Sequence, residues 1–262
     1  MKLLVLLAAC AFIEANYIEH HFDNSTSNDR IVGAGDIDIS NTPWQVSIHN
    51  ASKYHCGGAI ISKDWIITSA KCMSQPKNLY TVRVGSTYYN SGGAIYNVAD
   101  IIKHENFKTN AKGLSSDDIA LVRLNTSIIF TASQKIIPLC NIDEVVPMGK
   151  PVQVSGWGGT VPSNLRILQS YLANVLRKIN CNSTHSTRGG LYDHQSCIGP
   201  ENGQSGACPK DAGGPVVYGS SIFNKYLVGV ISWSEGCGKP NLPAIFTDVG
   251  AYRFWIKRHT GV

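Results

Sequence analysis

From residue 31 onward the chain is a succession of short apolar or alternating runs. They fall at residues 44–48, 65–68, 81–84, 119–122, 152–155, 226–230 and 244–247, separated by Gly, Pro, Asn and Ser. Many short strands with such punctuation predict antiparallel sheets closed as barrels or sandwiches. One segment breaks the pattern: Tyr252, Trp255 and Ile256 recur at i, i+3, i+4, which predicts a helix over residues 252–259 laid by one face on the body. Two earlier segments lack the strand texture. Residues 3–13 form an apolar run behind Met1 and Lys2, long enough for a signal-peptide core and too short to span a bilayer. Cleavage fits after Ala11 or after Ala15, and residues 1–15 are read as the signal. Residues 16–30 are polar and aperiodic and read as a short pro-segment.

Composition narrows the class. The chain has 262 residues, a net charge of +5 and only 16% charged residues. No basic run is dense enough for nucleic acid or a polybasic membrane site. The expectation is a secreted, extracellular, soluble monomer without metal or cofactor. Of the 8 cysteines, Cys10 lies in the signal, leaving an odd set in an oxidising compartment, where disulfides are the default. Sequons stand at Asn24, Asn50, Asn125 and Asn182; Asn24 is lost if the pro-segment is removed.

Six motifs then line up in order. Arg30-Ile31-Val32-Gly33 resembles the activation junction of trypsin-like zymogens. Cys56-Gly57-Gly58 and residues 65–72 resemble the segment that carries the catalytic histidine in the trypsin/chymotrypsin family of serine proteases. Asp118-Ile119-Ala120-Leu121 resembles its aspartate segment, and Cys208-Pro209-Lys210-Asp211-Ala212-Gly213-Gly214-Pro215 its nucleophile loop. Ser155-Gly156-Trp157-Gly158 and Ile231-Ser232-Trp233 also match. The resemblance implies an all-β fold of two six-stranded antiparallel barrels, the first over about 31–140 and the second over about 150–245. A C-terminal helix over about 250–260 completes a domain spanning 31–262. It further implies disulfides Cys56–Cys72, Cys181–Cys197 and Cys208–Cys237. Cys140 is then left over, as a buried thiol or an intermolecular link.

Against that family the chemistry departs. The nucleophile position holds Ala212 and the base position Lys71; Asp118 is retained. A triad needs a nucleophile, a base to take its proton and a carboxylate to orient the base. A lysine of depressed pKa serves as the base in serine–lysine sites, but that arrangement needs the serine that Ala212 replaces, so Lys71 is expected as a structural ion pair with Asp118. Lys210 stands where the family has glycine, preceded by Pro209, so the oxyanion peptide is expected to turn away, a loss of about 3 kcal/mol of transition-state stabilisation. The specificity-pocket positions are Gly206, Ser234 and Ala244, without a fixed carboxylate for a cationic substrate and with a narrowed slot. Asp211, by the resemblance, pairs with the amino group of Ile31 after cleavage behind Arg30.

The combined substitutions resemble those of the inactivated serine protease paralogues of the scabies mite. That resemblance implies a protein that is not an enzyme and acts by protein binding, interfering with host defence proteins such as complement components. A residual hydrolase using Lys71, Asp118 or an activated water, and a non-catalytic cofactor of a protease cascade, are the alternatives. Candidate recognition loops are residues 88–94, 106–116 and 183–192.

Overall fold

The computed structural model describes residues 35–158, 167–199, 206–221, 224–239 and 241–262. The expected signal peptide and pro-segment, and the junction Arg30–Ile31, lie outside the described residues. The first half begins with β1 (Gly35–Asp36), β2 (Gln45–Asn50), β3 (Lys53–Ile60) and β4 (Trp65–Thr68). It continues with β5 (Tyr80–Val84), β6 (Ala94–Lys103), the small hairpin β7 (Lys108–Thr109) and β8 (Ser115–Ser116), and β9 (Ala120–Leu124). The second half holds β10 (Pro151–Gly156), β11 (Gln169–Val175), α1 (Lys178–Thr184), β12 (Gln195–Gly199), β13 (Pro215–Tyr218), β14 (Tyr226–Trp233) and β15 (Ala244–Asp248). A 3-10 turn, Val249–Tyr252, leads into α2 (Arg253–Thr260).

Strands β2-β3-β4-β9-β6-β5 close into one antiparallel barrel. Strands β10, β13, β14, β15, β12 and β11 close into a second, because β11 pairs with both β10 and β12. Closure removes the free edges that a short-stranded sheet would otherwise expose. Strand β1 does not join the first barrel, where the expected boundary at residue 31 had put it. It pairs with β11 of the second, Gly35 opposite Ser170, and so straps the amino-terminal end across both halves.

Alternation sets the cores. In β5 Tyr80, Val82 and Val84 face in while Thr81 and Arg83 are half-exposed, the period-two pattern of a strand with one buried face. Val46, Ile48, Ile60, Ile66 and Val122 fill the first barrel with them. The second core runs through Val154, Val216, Val230, Ile231 and Phe246, and takes in Trp255 and Ile256 of α2. That helix starts at Arg253, one residue later than expected, since Tyr252 closes the 3-10 turn before it.

Three disulfides staple the fold: Cys56–Cys72, Cys181–Cys197 and Cys208–Cys237. The first two each close a loop of sequence separation 16, worth about 3 kcal/mol in the chain-entropy account. Cys140 is free and only 2% exposed, inside the second core. Burial pushes its thiol up to about 12, so it is the buried thiol of the two alternatives and has no access to another chain. Among the described residues no helix is long and apolar enough to cross a membrane.

Candidate functional site

The site lies where the barrels meet, and glycines make the meeting possible. Gly57 of β3 donates its N–H to the carbonyl of Ala212 at 2.9 Å. A Cβ on Gly57 would stand 2.9 Å from the Cα of Gly214. Gly213 has φ +82°, and a side chain there would run into the Gly57 carbonyl and the Thr68 hydroxyl. Only glycine combines that backbone with that closeness. The Gly213 N–H donates to Ile231 O at 2.7 Å and Ile231 returns its N–H to Gly214 O at 2.9 Å, locking the loop onto β14.

Asp118 sits at the start of β9 with no solvent exposure. Asp117 before it adopts φ +48°, and its carboxylate accepts the Tyr252 hydroxyl at 3.0 Å, so the C-terminal turn holds the bend in place. The Asp118 carboxylate is fully engaged. Oδ1 accepts the Ser69 hydroxyl at 2.6 Å and the Lys71 N–H at 2.9 Å; Oδ2 accepts the Ser232 hydroxyl at 2.7 Å. Such a carboxylate is well satisfied for a buried charge.

Lys71 lies in the 3-10 turn Ala70–Cys72, pinned by the Cys56–Cys72 disulfide. The expected ion pair is corrected here. Lys71 meets Asp118 through its backbone N–H, while its ammonium crosses to the second barrel and donates to the backbone carbonyl of Ser232. The side-chain oxygens of Asp118 are already taken by two hydroxyls and an amide, which leaves the long cation to find a carbonyl instead. Burial holds the Lys71 amine below the usual lysine range, and the charge of Asp118 partly offsets this.

Ala212 closes the 3-10 turn Pro209–Asp211. Its methyl is 3% exposed and packs with the first-barrel core, so the nucleophile position presents carbon alone. The Ala212 N–H donates to Pro209 O at 3.4 Å. Lys210 lies inside the turn, and its carbonyl accepts the Tyr54 hydroxyl at 3.0 Å. Proline favours this geometry at the first turn position because its fixed φ suits a helix start. The expectation placed the lost donor at Lys210; the amide that the structure shows turned toward Pro209 is that of Ala212. Asp211 is fully buried; its two oxygens accept Gly158 N–H and Cys208 N–H, each at 2.8 Å.

Two of the three pocket positions share a cavity. Gly206 and Ala244 line a cavity of about 490 Å³ together with Ala207, Ile198, Leu242 and Pro243. Ser234 is buried, and its hydroxyl has no hydrogen-bond partner among the described residues. Beside it Arg188 lies over the Trp233 ring at 5.0 Å and pairs with Glu235 at 2.7 Å. Two loops singled out as recognition candidates also meet: Asn110 donates to Arg188 O at 3.0 Å and to the Tyr192 hydroxyl at 3.1 Å, and Gln195 donates to Ser115 O at 2.7 Å. Among the sequons, Asn125 is exposed after β9, Asn50 ends β2, and Asn182 sits in α1 with its side-chain oxygen accepting Leu191 N–H at 2.9 Å.

Ser69, Ser232, Tyr54 and Arg188 carry no role in the sequence reading. Ser69 was within reach, two residues from Lys71. The others come from segments 114 residues or more away from their partners, or from loops whose meeting has no local signal.

Comparison with known proteins agrees with the architecture. The trypsin family model matches residues 31–256. Trypsin alpha of Drosophila melanogaster is 34% identical over 234 residues, covering 87% of this chain and 86% of the relative. Trypsin 5G1 of Aedes aegypti is 31% identical over 240 residues, covering 90% and 87%. These relatives overturn the expectation that the chain stands outside the enzymes. Each is named a trypsin, and the family points to an enzyme. The substitutions at 71 and 212, like the departures at 206, 210, 234 and 244, stand on the two-barrel frame of that family. With matches of this length on two closed barrels and their interbarrel site, the chain belongs to the trypsin family.

Proposed function

We propose that this trypsin-family protein works outside the cell by binding other proteins, with host defence proteins such as complement components as its partners. The single observation that carries the reading is the methyl group of Ala212, packed at the point where the family forms its acyl-enzyme. Covalent acyl transfer through that position needs an oxygen nucleophile. The glycine contacts, the Asp118 network and the disulfides around it remain a rigid support for surface loops. Three disulfides also suit an extracellular setting. The test is a complement-lysis assay and a pull-down from host plasma with purified protein. Dose-dependent inhibition with a bound component is expected; neither inhibition nor a bound component would remove the proposal.

A second reading is hydrolysis without a serine hydroxyl, using a water activated at Lys71. The observation in its favour is the lowered pKa of the Lys71 amine beside Asp118, together with the family itself. Peptide turnover well above background, lost in Lys71→Met, would establish it. Turnover unchanged by that substitution would trace to a contaminant.

A further inference from the structure

We propose that Lys71 is a latch: its ammonium occupies the backbone carbonyl at Ser232 and so closes the strand edge at residues 232–234 to extended polypeptide segments. The inference rests on the reading above only in taking the ligand to be protein.

On the β15 side the register runs Ile231 opposite Phe246, then Trp233 opposite Ile245, so Ser232 is skipped by a bulge. On the other side Ile231 spends both its backbone groups on residues 213 and 214. The Ser232 carbonyl is therefore turned out of the ladder, toward the first barrel. Bulges re-aim backbone groups in this way. Beyond Trp233 the strand ends, and the Ser234 hydroxyl is buried without a partner. A strand end with a carbonyl aimed into a cleft, followed by an unpaired buried hydroxyl, is a place where an extended chain can add itself through main-chain hydrogen bonds.

This chain fills the place from within. Lys71 is held at its base by Asp118, through the backbone, and spans to Ser232 with its side chain. The same serine is tied to Asp118 through its hydroxyl, so the two barrels are bridged twice at one residue. From the far side Arg188 covers the Trp233 ring and takes up Glu235. An incoming strand must displace a charge-assisted hydrogen bond from its first acceptor before it gains one of its own.

The experiment compares the unaltered chain with Lys71→Met, which keeps the stem and removes the ammonium, and with Lys71→Arg, which keeps a cation. The probe is a small disulfide-bonded trypsin inhibitor that presents an extended loop, titrated by calorimetry. Lys71→Met is expected to bind it about tenfold or more tightly than the unaltered chain, and Lys71→Arg no more tightly. Hydrogen exchange in residues 231–235 is expected to speed up in free Lys71→Met and to slow again with inhibitor. Equal affinity of all three, or tighter binding by Lys71→Arg, would overturn the latch. If Lys71→Met folds poorly, Lys71→Leu, which likewise carries no donor, supplies the same comparison. Capture of plasma proteins by the unaltered chain tests the binding reading, whereas the ratio between variants tests the latch, so either can fail alone.

Discussion

At residue 212 a single oxygen is missing from the two-barrel frame of the family. Restoring it does not by itself restore a nucleophile. Ala212→Ser alone places a hydroxyl beside an amine already committed to Ser232 O. Little labelling by a fluorophosphonate probe is expected from that variant. Adding Lys71→His frees the carbonyl and supplies a base beside Asp118, and labelling is expected to rise. It should still fall at least about tenfold short of a trypsin measured alongside, because the 212 N–H is drawn to Pro209 O and that donor is worth about 3 kcal/mol when properly aimed. A double variant as reactive as the trypsin would refute this account of the oxyanion turn. The other isolated side chain is Cys140. In protein beginning at residue 16, and so without Cys10, its burial and raised pKa predict no alkylation by iodoacetamide in the native state and one equivalent after unfolding, counted by mass spectrometry under non-reducing conditions.

At the level of elements, the meeting of β3 with the 212–214 loop decides whether a site exists at all. Gly213→Ala forces a side chain into φ +82° and against the Gly57 carbonyl. The backbone term alone costs about 1–2 kcal/mol, and the contact adds to it. A drop in urea midpoint equivalent to about 3 kcal/mol or more is expected, with the far-ultraviolet spectrum retained at zero urea. An unchanged midpoint would mean that the barrels can part here without cost. The same elements explain what sequence could and could not give. Strands with clean alternation or continuous apolar runs, such as β4, β5 and β14, were legible within a few residues. Strand β6 was not: its ten residues include Asn97 and Asp100, and most of them are half-exposed on the barrel wall. Helix α1 was not predicted, and only its last two residues fall in the candidate loop 183–192, because seven residues with one buried member carry no periodic face. The triad positions were legible from motif, since Lys71 follows the run 65–70, Asp118 precedes the run 119–122, and Ala212 stands within the nucleophile-loop pattern 208–215. The path of the Lys71 ammonium was not, because it depends on which oxygens Ser69 and Ser232 had already claimed.

Across the whole molecule, burial has placed one histidine in each barrel where protonation is costly. His49 of β2 shares a 3.0 Å hydrogen bond with the Ser47 hydroxyl, and desolvation, aided by Arg83, lowers its pKa. His185, after α1, has Nε2 at 3.1 Å from Pro243 O and an edge-on contact with Trp233; desolvation again lowers its pKa. For both groups the unfolded chain binds a proton more readily than the native one. Their contribution to stability is therefore full above about pH 6.5, the unfolded value, and declines as pH falls through the window below it. Asp248 works in the opposite sense. Burial raises it to about 6 from 3.8, so the native state takes up its proton first, and this group adds stability as pH falls from 6 toward 4. The sum predicts a thermal midpoint nearly level above about pH 6.5 that drops as pH falls below that value, and drops less steeply as Asp248 takes up its proton. Replacing both histidines by glutamine is expected to flatten the first limb, while Asp248→Asn raises the midpoint at pH 7.5 and loses that gain at pH 4. Calorimetric scans of the three proteins at these pH values check the signs separately. A first limb that persists without the histidines would put the acid sensitivity in some other group.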